Sequence, residues 1–214
     1  MYIWFFTCVI GMIAVIPVHF ISVEHLKLEE KYGKERGKRI GEICGIISGW
    51  LFFLFWIGVW ISPQPRFTVP ILQSIVIGLP VVGLKVPLLH LVIFAPFFVL
   101  GAWFGISGVK EVTLRVAETH RTDKIITKGV YSVVRHPQYL GGLLAHVGIS
   151  FLLSSLYSLL STPLIAVIVY LISWKEEKEL TREFGEEYEK YRKNVPMFIP
   201  RLRKKTKRSS FNDV

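Results

Sequence analysis

Cysteine is scarce in this sequence: Cys8 and Cys44 are the only two among 214 residues. One lies inside an apolar run and the other opens the next, which excludes a disulfide framework and a thiolate metal site and leaves both as small apolar fillers. Grouped histidines are missing too. His19, His25, His90, His120, His136 and His146 contain no pair at i, i+3 or i, i+4, so the clustered imidazoles of a membrane metal hydroxylase are absent and no metal is expected. No G-x-G-x-x-G is present, so a nucleotide-like cofactor would have to be held by something other than a dinucleotide-binding turn.

The most informative shortage is of charge. Four blocks carry no Asp, Glu, Lys or Arg: Met1 to Val23, Ile43 to Gln64, Val86 to Val109 and Tyr139 to Trp174. Each reaches or exceeds the roughly 20 residues a membrane-spanning helix needs. The first has no basic residue before it and no small-residue cleavage site after it, so it reads as a retained helix and not a signal peptide. The basic residues behind the net charge of +10 sit beside these blocks. Six fall between Glu24 and Glu42, six between Lys110 and Arg135, and twelve from Lys175 onward. This is the positive-inside pattern, which accounts for the charge without a nucleic-acid partner.

If the three basic segments share one side, an even number of crossings separates each from the next. Phe67 to Leu84 is apolar but carries Pro70, Gly78, Pro80 and Gly83, and counting it as a span would put the second basic segment on the wrong side. It is assigned to an outer loop or re-entrant piece. The last block of 36 residues is too long for one span, since about 54 Å of helix would face about 30 Å of hydrocarbon. Ser154, Ser155, Ser158, Ser161, Thr162 and Pro163 supply turn chemistry near its middle, so it is predicted to be a hairpin. The fold expected is an all-α polytopic membrane protein of about five transmembrane helices, the last two forming the C-terminal hairpin. The N-terminus is expected outside and the C-terminus in the cytoplasm. After Trp174, Leu180, Phe184, Tyr188 and Tyr191 recur at helical spacing and predict an amphipathic surface helix. A tail containing Arg201, Arg203, Lys204, Lys205, Lys207 and Arg208 follows, suited to anionic headgroups. All of this reads as one membrane domain, with N-terminal helices over 1–122, a hairpin and C-terminal segment over 123–200, and a basic tail over 201–214.

The hairpin should return its two mouths to the same membrane face, bringing Arg135, His136 and Tyr139 within reach of Glu176 and Glu177. Such a group is costly to desolvate at a lipid boundary, which marks it as a candidate site, although Arg, Tyr and Trp there can also serve as headgroup anchors. The lone His90 and His146 in apolar blocks read as hydrogen-bonded helix-packing residues.

The run Gly129-Val130-Tyr131-x-x-x-Arg135-His136-Pro137-Gln138-Tyr139-x-Gly141 precedes a hairpin-length apolar block. Glu176-Glu177 and then Phe184-Gly185-Glu186-Glu187-Tyr188-x-x-Tyr191-x-x-x-Val195 follow. This order resembles the isoprenylcysteine carboxyl methyltransferase family and the wider membrane group that includes phospholipid N-methyltransferases, over roughly Asp123 to Pro200. The resemblance implies an S-adenosylmethionine pocket between hairpin and C-terminal segment, and a lipid or prenylated substrate that arrives sideways from the bilayer. Carried over by motif position, it implies cofactor contacts at Asp123, Lys124, Ile125, Ile126, Tyr131, His136, Pro137, Gln138, Tyr139 and Glu176, with Arg135 and Glu176 as catalytic candidates. One position departs from the pattern. Carboxyl methyltransferases of this family place an arginine four residues before the glutamate matched by Glu176, and Ile172 stands there, which weakens the case for a carboxylate acceptor and favours a neutral amine, a phospholipid headgroup of the N-methyltransferase type or another nucleophile. Two other readings compete: an NADPH-dependent isoprenoid or sterol reductase, which shares an R-H-x-x-Y element, and a non-enzymatic membrane scaffold.

Overall fold

The computed structural model describes residues 2–71, 75–79, 83–119, 122 and 124–201, with only the backbone described at 114 and 115. Helix α1 (Ile3–Val23) is followed directly by the short α2 (His25–Tyr32) and the long α3 (Lys34–Ile61). The reversal between α2 and α3 falls at Gly33, whose φ of 80° suits a residue without Cβ. Between α3 and α4 lies a β-hairpin of β1 (Val76–Leu79) and β2 (Leu84–Pro87). Helix α4 (Leu88–Val112) returns, α5 (Leu114–Thr119) follows, and after a single 3-10 turn at Gly129–Ser132 come α6 (Pro137–Leu152), α7 (Leu156–Leu160), α8 (Thr162–Phe184) and α9 (Glu186–Asn194).

The helical membrane architecture agrees with the sequence. Helices α1, α3 and α4 are each long and apolar enough to cross a bilayer. Their outward faces carry bare apolar side chains such as Trp4, Ile10, Leu54 and Val99, each at least 60% exposed, as lipid-facing residues should be. The hairpin arms are shorter. Helix α6 has 16 residues, about 24 Å, and the uncharged part of α8 ends at Trp174, so neither meets the length of a full span by itself. The turn comes where the serines predicted it, with Ser154 at φ 52°, but the extra helix α7 sits between the arms. The stretch expected as an outer loop or re-entrant piece, Phe67 to Leu84, holds β1 and the first residue of β2, whose last two residues, Val86 and Pro87, lie in the block expected to begin the third span.

Two helix pairs make the body: α1 packs along α3, and α4 along α6. The α4–α6 crossing is close because it is built on glycine. A Cβ on Gly141 would lie 2.6 Å from the backbone of Gly101 and Gly105. At the end that carries the hairpin turn, buried His146 ties the pairs together. Its Nδ1 accepts from the indole N–H groups of Trp56 and Trp60 at 3.0 and 2.8 Å, which leaves Nε2 to donate to the Ser158 carbonyl at 2.9 Å. His90 likewise bonds the hairpin turn through Phe151 O and Ser154 Oγ, both at 3.0 Å. Both histidines are therefore the packing residues that the sequence predicted.

Candidate active site

The site forms where the 3-10 turn, the start of α6 and the end of α8 meet. Pro137 occupies the first turn of α6, where its missing N–H costs nothing, and packs on Gly108, at which a Cβ would meet Pro137 and Gln138 at 3.2 and 2.8 Å. The C-terminal segment closes over this corner through Arg135 N to Pro196 O and His136 N to Met197 O, at 2.9 and 3.2 Å. Tyr191 adds a hydrogen bond from its hydroxyl to Tyr131 O at 2.7 Å. Tyr188 and Tyr191, expected on a surface helix, are buried here, because Gly185 (φ 54°) breaks the helix and folds α9 back. Burial pushes the hydroxyls of Tyr131, Tyr188 and Tyr191 well above the ordinary tyrosine value, so all three stay protonated.

The adjacent carboxylates divide the work. Glu177 receives Arg135 Nε at 2.6 Å and Nη2 at 3.0 Å, and lies 3.1 Å from His136 Nε2. Burial works to raise this carboxyl, but hydrogen bonds and charge from His136 and Arg135 outweigh it and hold it below the ordinary carboxylate value. The remaining guanidinium nitrogen donates to the carbonyls of Arg192 and Val195, so every nitrogen of Arg135 is engaged. Glu176 faces the other way. Its Oε1 accepts the Tyr139 hydroxyl at 2.5 Å and lies 3.1 Å from His19 Nε2, and its Oε2 is 3.5 Å from His136 Nδ1. Next to it, Lys175 is closed between Glu24 at 2.6 Å and Glu179 at 2.9 Å, which ties the end of α1 to α8. Burial would lower this ammonium, but the two carboxylates hold it above its ordinary value, and it stays charged.

These groups line one cavity of about 910 Å³. Lys124, Ile125, Ile126, Tyr131, Arg135, His136, Gln138, Tyr139 and Glu176 all border it; Pro137 does not, and Asp123 lies outside the described residues. Away from this polar mouth the lining is apolar and runs between α3 and α4. At its rim Trp50, Phe53, Phe98 and Ile106 are 41–59% exposed, so the slot opens sideways between the exposed apolar faces of α3 and α4. Ile172 borders the cavity and is buried, with no cation in its place. Motif reasoning missed His19. It is one of several scattered histidines, and its partner Glu176 is far away in sequence.

Comparison with known proteins agrees with the motif. The profile of the phospholipid methyltransferase family matches residues 89–187, from the first residues of α4 through the Glu176-Glu177 pair. Curated relatives include a methanethiol S-methyltransferase of Crocosphaera subtropica (36% identical; 48% of this chain, 40% of that protein). Among the others are protein-S-isoprenylcysteine O-methyltransferases of Schizosaccharomyces pombe (37%; 36% and 33%) and Arabidopsis thaliana (31%; 45% and 48%). The chain thus spans between a third and a half of the length of these relatives. No solved structure matches it at the same stringency. Over the matched segment the resemblance to the isoprenylcysteine and phospholipid methyltransferase group therefore stands on independent ground.

Proposed function

We propose that this protein is an S-adenosylmethionine-dependent methyltransferase of the membrane, acting on a lipophilic acceptor that reaches the site through the slot between α3 and α4. The observation that carries the reading is the convergence of Tyr131, His136, Gln138, Tyr139 and Glu176 at the mouth of one large cavity whose remainder is apolar. About 910 Å³ is near the upper end of what a single small-molecule site needs, so the cavity can take a cofactor and part of a lipid together. The donor set suits the cofactor. A carboxylate and an imidazole match its amino-acid tail and ribose hydroxyls, the Tyr131 and Gln138 side chains add polar contacts, and Ile125 and Ile126 offer an apolar wall for adenine. Asp123 and Lys124 belong to the same binding segment.

When bound, S-adenosylmethionine supplies a methyl group already activated on a sulfonium, which leaves positioning and exclusion of water to the protein. Glu176, His136 and Tyr139 fix the polar end. Arg135, locked by Glu177 and the C-terminal carbonyls, acts as a positioning residue that holds His136 and the C-terminal segment together. The apolar lining excludes water and binds the acceptor's hydrocarbon. The relatives are named for O-methylation of isoprenylcysteine and S-methylation of methanethiol, and Ile172 stands where the carboxyl methyltransferases of the resembled family place an arginine. In this reading the basic face, with the cofactor site, is cytosolic and the N-terminus lies outside. The basic tail, which meets anionic headgroups, lies outside the described residues after Arg201.

Calorimetry on detergent-purified protein tests the cofactor. S-adenosylhomocysteine is expected to bind saturably and NADPH not at all. Glu176→Ala should weaken binding about 10- to 150-fold, the effect of a lost charged hydrogen bond worth about 1.5–3 kcal/mol. Binding of NADPH alone would move the protein to the reductases, and binding of neither by folded protein would favour a scaffold.

A further inference from the structure

We propose that the face of α8 turned away from the chamber carries a second binding site, which holds the phosphate of an anionic membrane lipid between α8 and α9. This site is separate from the chamber and from the basic tail, and it stands whether or not the chamber transfers methyl groups.

Helix α8 presents two opposite stripes. Ile172, Glu176, Glu179 and Glu183, spaced three and four residues apart, line the chamber. On the other side Val167, Leu171, Trp174, Lys178 and Arg182 follow at the same spacing, and this stripe changes from apolar to basic at Trp174. Its apolar part is bare, with Val167, Leu171 and Trp174 each 40–54% exposed. Just past the change opens a recess of about 250 Å³, lined by Trp174, Glu177, Lys178, Thr181, Arg182 and Arg192. Arg192 comes from α9, which the break at Gly185 folds back along α8. Lys178 Nζ lies 5.4 Å from the centre of the Trp174 ring, a cation over an aromatic face at the junction of the two halves of the stripe.

The carboxylates at this recess are already matched. Glu177 bonds Arg135 and His136, Glu179 bonds Lys175 and Arg182, and Glu189 bonds Arg192. Arg182 uses Nη1 in its pair and Arg192 uses Nη2, and a guanidinium has five N–H donors, so both forks keep donors for an oxyanion. Lys178 meets the Trp174 ring and, among the described residues, no carboxylate. Three cations around one recess call for a phosphate. The apolar stripe that runs into the recess decides its source: acyl chains can lie along Val167, Leu171 and Trp174 while the phosphate sits among Lys178, Arg182 and Arg192. A soluble phosphate gains nothing from that stripe. The bound lipid bridges α8 and α9, and the Arg192 carbonyl already accepts from Arg135 at 3.0 Å, so the lipid braces the segment that closes over the chamber.

Native mass spectrometry of the full chain in detergent tests this, with dioleoyl phosphatidic acid, dioleoyl phosphatidylcholine and inorganic phosphate as the titrants. Wild type is expected to retain phosphatidic acid saturably, and to bind phosphatidylcholine, whose choline cancels the phosphate charge, and inorganic phosphate far more weakly. Lys178→Gln and Arg182→Gln should each weaken phosphatidic acid binding about fivefold, the roughly 1 kcal/mol of one basic side chain at an anionic surface. Thermal unfolding provides the second readout: phosphatidic acid should raise the Tm of wild type and raise that of both variants less. Lys178→Gln removes no ion pair, so its Tm without lipid should equal that of wild type, which separates lost binding from lost folding. Equal affinity for phosphatidic acid and phosphatidylcholine would overturn the phosphate site, and equal affinity for inorganic phosphate would overturn the lipid. Unchanged binding in both variants, with loss only on replacing Lys204 and Lys205 by glutamine, would put the lipid on the basic tail and overturn the proposal.

Discussion

At the scale of single residues, the adjacent glutamates follow different physics. Glu177 is structural: its two oxygens satisfy a guanidinium and an imidazole, and both it and Arg135 have side chains less than a tenth exposed. Replacing it by glutamine strands the guanidinium, for which breaking a buried pair predicts a loss of about 3–5 kcal/mol. The sign of the pH dependence follows from its lowered carboxyl. The folded state binds its proton more weakly than the unfolded chain, so its contribution is complete above the ordinary carboxylate value and lost as pH falls through the lower folded value. Thermal unfolding in detergent should therefore show a wide gap between wild type and Glu177→Gln at pH 7, narrowing below about pH 4.5. A gap independent of pH would mean that the pair holds no such charge. These residues were legible in the sequence because motif and hairpin together dictate their meeting. His19 was not, since a lone histidine in an apolar run carries no spacing signal and only the packing of α1 on α8 brings it to Glu176.

At the scale of elements, the meeting of α4 and α6 decides whether the site can form, because α6 begins at His136 and Pro137 and α4 supports them through Gly108. The crossing has no room for a methyl group at Gly141. The atoms in the way are backbone, which cannot swing aside as a side-chain tip can. Gly141→Ala should therefore cost about 1–3 kcal/mol despite alanine's better helix propensity, and should weaken S-adenosylhomocysteine binding in parallel. Denaturation and calorimetry on the same sample check this; a stabilised variant with unchanged affinity would show that the helices can separate without consequence. The long helices and the hairpin turn were readable from charge and serine content. The β-hairpin and α7 were not, because four-residue strands and a five-residue helix are too short for their apolar residues to establish a period. The break at Gly185 that buries Tyr188 and Tyr191 was likewise hidden behind a helical spacing that continues across it.

At the scale of the whole molecule, the lateral slot arises from which helices are held apart. Helices α1 with α3 and α4 with α6 pack as pairs, joined at one end by α5 and at the other by His146 with Trp56 and Trp60, and the slot is the space left between them. Such a gap has no signature in hydropathy, where its walls look like any lipid-facing stripe. Gly105 offers a test that separates slot from fold. Unlike Gly141, it would present an added Cβ to open space within the cavity lining, so leucine there should fill the slot without pushing on a neighbour. Removing a helical glycine adds up to about 1 kcal/mol of stability, so Gly105→Leu should unfold at the same temperature as wild type or higher. It should bind S-adenosylhomocysteine normally, because the polar mouth is untouched. With a long-chain acceptor it should lose the burial of two or three methylenes, about 0.8 kcal/mol each, or roughly 15- to 60-fold in kcat/KM, and recover most of that with a shortened chain. Undiminished turnover on the long acceptor would place the acceptor outside the slot. An inactive protein that is no less stable and still binds the cofactor product would show that the space between the helix pairs is where the acceptor's hydrocarbon lies.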